Sequence, residues 1–176
     1  MAVRNRVEVM HGVNLSEIGR RDPALYGDIT YPELERRVDG MGHELGLTLR
    51  FMVTNDEGEF IEHLHRLEGM ADGVLLNPGA WTHYAWSIHD ALELTGLPAV
   101  EVHLSDVEAR EEWRRVSVIR DLCIARVAGK GVDGYREGLE ALCAHLEVPS
   151  EAKPGDHGWP DASRHSAERP PEGGTR

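Results

Sequence analysis

Basic residues are scarce in this chain: 19 lysines and arginines stand against 31 acids, a formal charge of −12 over 176 residues. That balance argues against a nucleic-acid surface, although a locally basic pocket for a small anion remains open. Cysteine is scarcer still. Cys123 and Cys143 are the only two, they lack CxxC spacing, and they read as buried small apolar residues of a cytoplasmic protein. No apolar run approaches the roughly 18–20 residues of a membrane span, and no charged-then-apolar leader opens the sequence. There is no internal repeat and no cofactor motif. What is present is ordinary globular composition, 40% apolar and 28% charged, in a length suited to one well-cored domain.

Composition changes near residue 150. From Glu151 to Arg176 there are four prolines and four glycines, and almost no aliphatic residue larger than alanine. Such a stretch cannot bury enough apolar area to offset the entropy of ordering it. One domain over residues 1–150 and a disordered Pro/Gly-rich tail over 151–176 are therefore expected.

Within 1–150, short apolar strands alternate with amphipathic helices. Val7–Met10, Thr48–Thr54, Gly73–Leu76, Ala99–His103 and Cys123–Ala128 read as strands. A capping box at Thr30–Glu33 starts a helix to Leu45, and Asn55 caps a second with Phe60, Ile61, Leu64 and Leu67 on one face. Helix spacing returns over Thr82–Leu94 and Tyr135–Leu146. This alternation predicts a doubly wound, flavodoxin-like parallel sheet of five strands, ordered 2-1-3-4-5, with helices on both faces. Ligands then bind beyond the carboxyl ends of the strands, which selects the loops 11–30, 77–83 and 103–117.

Those loops hold the chemistry. The first carries His11, Asn14, Arg20, Arg21 and Tyr26; a phenol titrates near about 10, and a neighbouring cation favours the phenolate a base requires. A connection of that length is a candidate lid. The second carries Asn77 at a strand end, Gly79 where backbone can approach a ligand, then Ala80 and His83. In the third, Glu101 and His103 share a side of their strand, so the carboxylate can orient the ring and favour its cation. Leu104 and Ser105 follow at a turn whose backbone N–H groups can hold a carboxylate. Arg110 and Arg114 share one face if the segment from Asp106 is helical. His63 and His65 diverge on a helix and lack a third ligand, so no metal is expected. An acid, a base and anion-binding groups around one crevice call for acid–base chemistry on a carboxylate substrate.

At this point the sequence resembles the type II 3-dehydroquinate dehydratases. HGVNL at 11–15, GRRDPALYG at 19–27, NDEGEFIEHLH at 55–65, NPGAWTH at 77–83, DAL at 90–92, EVHLSDVEAREEWRRVS at 101–117 and GKGVDGY at 129–135 carry the resemblance. It implies a cofactor-free, metal-free lyase of the shikimate pathway or of quinate catabolism, with trimers assembled into dodecamers. It also implies roles. Tyr26 would remove a proton from carbon 2 of dehydroquinate, with Arg21 sustaining its phenolate, and Asn14 would hold a water on the enolate. His103, oriented by Glu101, would protonate the departing hydroxyl. Asn77, with the Gly79–Ala80 turn and the backbone at Leu104 and Ser105, would bind the carboxylate. His83 and Arg114 would meet ring hydroxyls, and Asp90 would reach a neighbouring subunit's Arg114.

Several positions depart from the family pattern: Val13 stands for proline, Val53-Thr54 for Gln-Ser, Tyr84-Ala85 for Thr-Ser, and His89 for a frequent arginine. The changes at 84, 85 and 89 motivate one alternative, a paralogue that dehydrates an amino-dehydroquinate or related cyclic hydroxy acid; a second, of a different class, is a non-catalytic acid-binding relative that keeps the pocket. A receiver domain is rejected, because Asn14 and Asn77 stand where it needs acids.

Overall fold

The computed structural model describes residues 3–149, 151–155 and 159. Strands β1 (Arg6–His11), β2 (Thr48–Val53), β3 (Gly73–Asn77), β4 (Ala99–His103) and β5 (Cys123–Ala128) form one parallel sheet in the order β2-β1-β3-β4-β5. The reason lies in the burial pattern. Every residue of β3 and β4 is buried, as a strand covered on both faces must be, whereas the edge strands β2 and β5 are only partly buried.

Alternation along each strand feeds two cores. Val7, Val9, Leu75, Val100 and Val102 pack with Leu34 and Val38 of α2 (Tyr31–Glu44) and with Tyr135, Leu139 and Leu142 of α5 (Asp133–Leu146). On the other face Met10, Val74, Leu76 and Ala99 pack with Phe60 and Leu64 of α3 (Glu57–His65) and with Ile88 and Leu92 of α4 (Trp86–Thr95). Each such side chain contributes roughly 1.5–3 kcal/mol of burial. A short helix α1 (Pro23–Tyr26) interrupts the long first loop.

Local expectations failed where a side chain found a better partner. Thr30 does stand at the N-cap of α2, but its side chain makes no capping bond; the proline in the first turn already fixes the backbone there. Asn55 does not cap α3. Asp56 does, accepting from Glu59 N–H at 3.0 Å, while the Asn55 amide turns to Asn14 and Ser16. The single helix expected over 82–94 is a 3-10 turn at Gly79–His83 followed by α4. The segment from Asp106 forms two short 3-10 turns, Val107–Ala109 and Glu112–Arg115, broken at Arg110. Both cysteines are free and half-buried rather than fully buried.

Contact with the domain does not stop at residue 150. Asn5 Nδ2 donates to the Lys153 carbonyl at 3.4 Å, Gly155 N–H donates to Thr48 Oγ1 at 2.7 Å, and Trp159 packs against the core under α3 and α4 with the Arg50 guanidinium 4.8 Å from its ring centre. These contacts follow the β2 edge, which a parallel sheet otherwise leaves open. The rest of the expected disordered tail, 156–158 and 160–176, lies outside the described residues.

Candidate active site

The carboxyl ends of β1, β3 and β4 open into a cleft of about 120 Å³. Two close backbone approaches shape it. A Cβ on Gly12 would sit 2.3 Å from the Pro78 carbonyl oxygen, and Gly79, at φ +66°, would place one 2.5 Å from the Val13 carbonyl oxygen. Only glycine fits either position. Beside them Asn14 adopts a left-handed φ of 67°, uncommon outside glycine but tolerated best by asparagine. Its N–H donates to Asn55 Oδ1 at 2.7 Å, which holds the turn.

On one side lies the expected acid. Glu101 is fully buried on β4, and its Oε1 accepts from His103 Nε2 at 2.7 Å and from Thr82 Oγ1 at 2.5 Å. Its Oε2 accepts from Ser117 Oγ at 2.7 Å and lies 3.4 Å from Arg126 Nε. Burial alone pushes the carboxyl upward, yet the bonds from His103, Thr82 and Ser117 hold it below the usual carboxylate range. The imidazole is therefore pinned through Nε2, and Nδ1 is left for the cleft. His83 stacks on His103 at 6.2 Å, with Nδ1 donating to the Val116 carbonyl at 2.6 Å. Burial, with His103 and Arg114 nearby, lowers the His83 pKa, against the bond to the Val116 carbonyl, which raises it; His83 lines the cleft.

Facing this pair is Tyr26, at the end of α1 and only 8% exposed. The Arg21 guanidinium lies 3.9 Å from the centre of its ring, and Arg110 Nη1 donates to its hydroxyl oxygen at 2.7 Å. The hydroxyl contact was missed in the sequence, where the candidates were Arg20 and Arg21. Arg20 points away, with its side chain 84% exposed beside Glu17. The legible signal was the Arg110–Arg114 spacing; both reach the cleft, although through separate turns rather than one helix. Glu111 spaces them, with Oε2 2.7 Å from Arg114 Nε and 3.5 Å from Arg110 Nε.

Asn14, Arg21, Tyr26, Asn77, Gly79, Ala80, His83, His103, Leu104, Ser105 and Arg114 all line the cleft, and Glu101 stands directly behind His103. Asp90 does not belong to it: its side chain is 78% exposed on α4, bonded to His89 Nδ1. Thr82, Ser117 and Arg126 around Glu101 carried no sequence signal, since their contacts span 16 to 25 residues. Among the described residues no group of His, Cys, Asp and Glu could hold a metal, and no helix is long and apolar enough to cross a membrane.

A doubly wound parallel sheet whose strand ends bring a tyrosine–arginine pair and a glutamate–histidine pair to one cleft beside the Asn77–Ala80 turn defines an α/β enzyme of general acid–base chemistry. Comparison with known proteins narrows the class. The family model for Dehydroquinase class II matches residues 5–143, and the chain belongs to that family. It is 44% identical over 142 residues to the 3-dehydroquinate dehydratase of Carboxydothermus hydrogenoformans, covering 81% of this chain and 92% of the relative. With that of Leptothrix cholodnii it shares 45% over 134 residues, covering 76% and 90%. The crystal structure of the type II dehydroquinase from Propionibacterium acnes superposes with a TM-score of 0.76 at 35% identity, over 82% of this chain and 99% of that one.

Proposed function

We propose that this chain dehydrates 3-dehydroquinate to 3-dehydroshikimate through an enolate. The observation that carries the reading is the opposition of two polar pairs across one small cleft, Tyr26 held by Arg110 at 2.7 Å and His103 held by Glu101 at 2.7 Å. Tyr26, as phenolate, removes a proton from carbon 2, which the neighbouring ketone acidifies. A guanidinium on its oxygen and another on its ring face supply the positive charge that form needs. Electrons move to the ketone oxygen, where a water placed by Asn14 donates to the enolate; fixed donors at developing charge are the electrostatic share of catalysis. The enolate then expels the hydroxyl, which takes a proton from His103 and leaves as water. Glu101 keeps the imidazole aimed and compensates its charge.

Asn77, the Gly79–Ala80 turn and the backbone at Leu104 and Ser105 form the carboxylate subsite, and His83 and Arg114 hold ring hydroxyls. Three arginines in the cleft, Arg21, Arg110 and Arg114, make it locally basic within an acidic protein. The amino-substrate paralogue and the non-catalytic relative are not favoured: of the groups that differ, Tyr84, Ala85 and His89 do not line the cleft, Val13, which does, is apolar like the proline it replaces, and the relatives compared carry the dehydratase name. Purified protein with 3-dehydroquinate should show rising enone absorbance; binding without that rise would overturn the reading.

The assembly belongs to the same proposal. Asp90 projects from α4 into the open, and Tyr84, Trp86 and Val116 are exposed large apolar side chains, which suits a trimer, itself a unit of a dodecamer, in which Asp90 meets a neighbour's Arg114. Light scattering should give a trimer or larger, and a fully active monomer would exclude it. A cytoplasmic location and the catalytic domain at 1–150 complete the reading.

A further inference from the structure

Three aromatic side chains that the proposed reaction does not use run in line behind the cleft. Tyr31 of α2, His11 of β1 and Tyr135 of α5 are joined by hydrogen bonds of 3.1 Å (Tyr31 Oη to His11 Nδ1) and 2.9 Å (His11 Nε2 to Tyr135 Oη). The line ends on Asn77, whose Nδ2 lies 3.2 Å from Tyr135 Oη. His11 and Tyr135 are wholly buried.

The hydrogens of this line have one arrangement. Gly79 N–H can only donate, and it lies 3.3 Å from Asn77 Oδ1; the amide oxygen must be on that side and the amide nitrogen on the other. Nδ2 therefore donates to Tyr135, whose single hydrogen goes to His11 Nε2. Burial pushes the His11 ring down to about 3 and pushes the Tyr135 phenol upward, so both are neutral at pH 7. His11 then has one N–H, on Nδ1, and it donates to Tyr31. Flipping the amide would set two donors face to face at Gly79, and reversing the His11 links would leave the buried Tyr135 hydrogen without an acceptor. Satisfied buried chains of this kind fix orientation, because a donor or acceptor left unmade in the interior is costly.

We propose that Tyr135 and His11 are positioning residues that fix the Asn77 amide with its second N–H available to the cleft, so that the subsite offers a donor and selects a carboxylate over a carboxamide. This rests on the reading of Asn77 as a carboxylate ligand. The backbone supplies the reference at Gly79, and the buried line locks the amide to it. Held only by the 3.3 Å contact from Gly79 N–H, the amide would turn more freely, so without the line the subsite would discriminate less between the two ligand types.

Tyr135→Phe keeps the ring and removes the only acceptor for Nδ2. Calorimetry with quinate, the ring acid with a hydroxyl in place of the ketone, and with quinamide should show the wild-type preference for the acid falling about tenfold in this variant. KM for dehydroquinate should rise about tenfold, with kcat within about threefold and the melting curve still cooperative. Tyr31→Phe, at the far end, should move the same preference two- to threefold, and it serves should Tyr135→Phe fail to fold. An unchanged preference in a folded variant, or a kcat loss larger than the KM rise, would overturn the proposal. The ligand preference is measured without turnover, so an inactive wild-type protein would sink the dehydratase reading and leave this test intact.

Discussion

The sheet carries two buried glutamates on the face covered by α3 and α4, and their surroundings are nearly superimposable in kind. Glu101 on β4 has His103 Nε2 at 2.7 Å and, on the neighbouring edge strand, its lateral partner Arg126 at 3.4 Å. Glu8 on β1 has His63 Nε2 at 2.7 Å and, on the opposite edge strand, its lateral partner Arg50 at 4.0 Å. Only the first belongs to the candidate site. Glu101 lies one turn of the strand pattern nearer the carboxyl ends, where loops converge, and Thr82 and Ser117 complete its hydrogen bonds. Among the described residues Glu8 Oε2 has no hydrogen-bond partner, and His63 bridges α3 to the sheet. A histidine against a glutamate is thus not in itself a catalytic feature: an open cleft and an opposing base make it one.

The contrast is broken most directly at the histidines and the base. His103→Ala should lower kcat by roughly 10²–10⁴, and Tyr26→Phe should nearly abolish turnover while inhibitor binding stays within about tenfold. His63→Ala should leave kcat within about twofold. Steady-state kinetics on the three proteins decides it, and comparable losses at His63 and His103 would end the distinction.

The arginines sharpen it next. Arg110→Ala should cost roughly ten- to a hundredfold in kcat, matching a charged hydrogen bond of about 1.5–3 kcal/mol. Arg21→Lys should remain partly active because it keeps the charge but loses the planar fork, with Arg21→Ala far weaker. Arg50→Ala should leave kcat unchanged. If Arg21→Ala were harmless while Arg110→Ala abolished turnover, the ring-face cation would have no role.

At the glutamates, Glu101→Gln should reduce kcat about tenfold, whereas Glu8→Gln should act on stability alone, by about 1–3 kcal/mol in urea. The Glu101 carboxyl is held below its ordinary range in the fold. Its contribution is therefore present above the unfolded value near about 4.3 and is lost as pH falls through the lowered folded value. Below about pH 4 the stability gap between wild type and Glu101→Gln should shrink as the carboxyl takes up its proton. A gap that goes on widening below about pH 4 would reverse the assignment.

The smallest effect belongs to the β2 edge. Deleting residues 151–176 should leave turnover unchanged and lower the unfolding free energy by about 1 kcal/mol, the worth of a hydrogen bond or two such as Gly155 to Thr48. A change in kcat on truncation would tie the tail to the cleft.

Periodicity in the sequence determined the strands, the strand order and the three loops that bear the site, because a buried strand needs a continuous apolar run and a parallel sheet places its ligands at one end. Tyr26, His103, Glu101 and Asn77 were legible there as unusual polar residues at strand ends or in a long connection, and the family motifs set their roles. Tertiary structure alone decided which arginine meets the Tyr26 hydroxyl, that Thr82, Ser117 and Arg126 surround Glu101, and that His11 and Tyr135 stand behind Asn77. The reason is physical. Periodicity and capping are local, whereas a hydrogen bond between residues 84 or 124 positions apart is set by how helices and turns stack on the finished sheet.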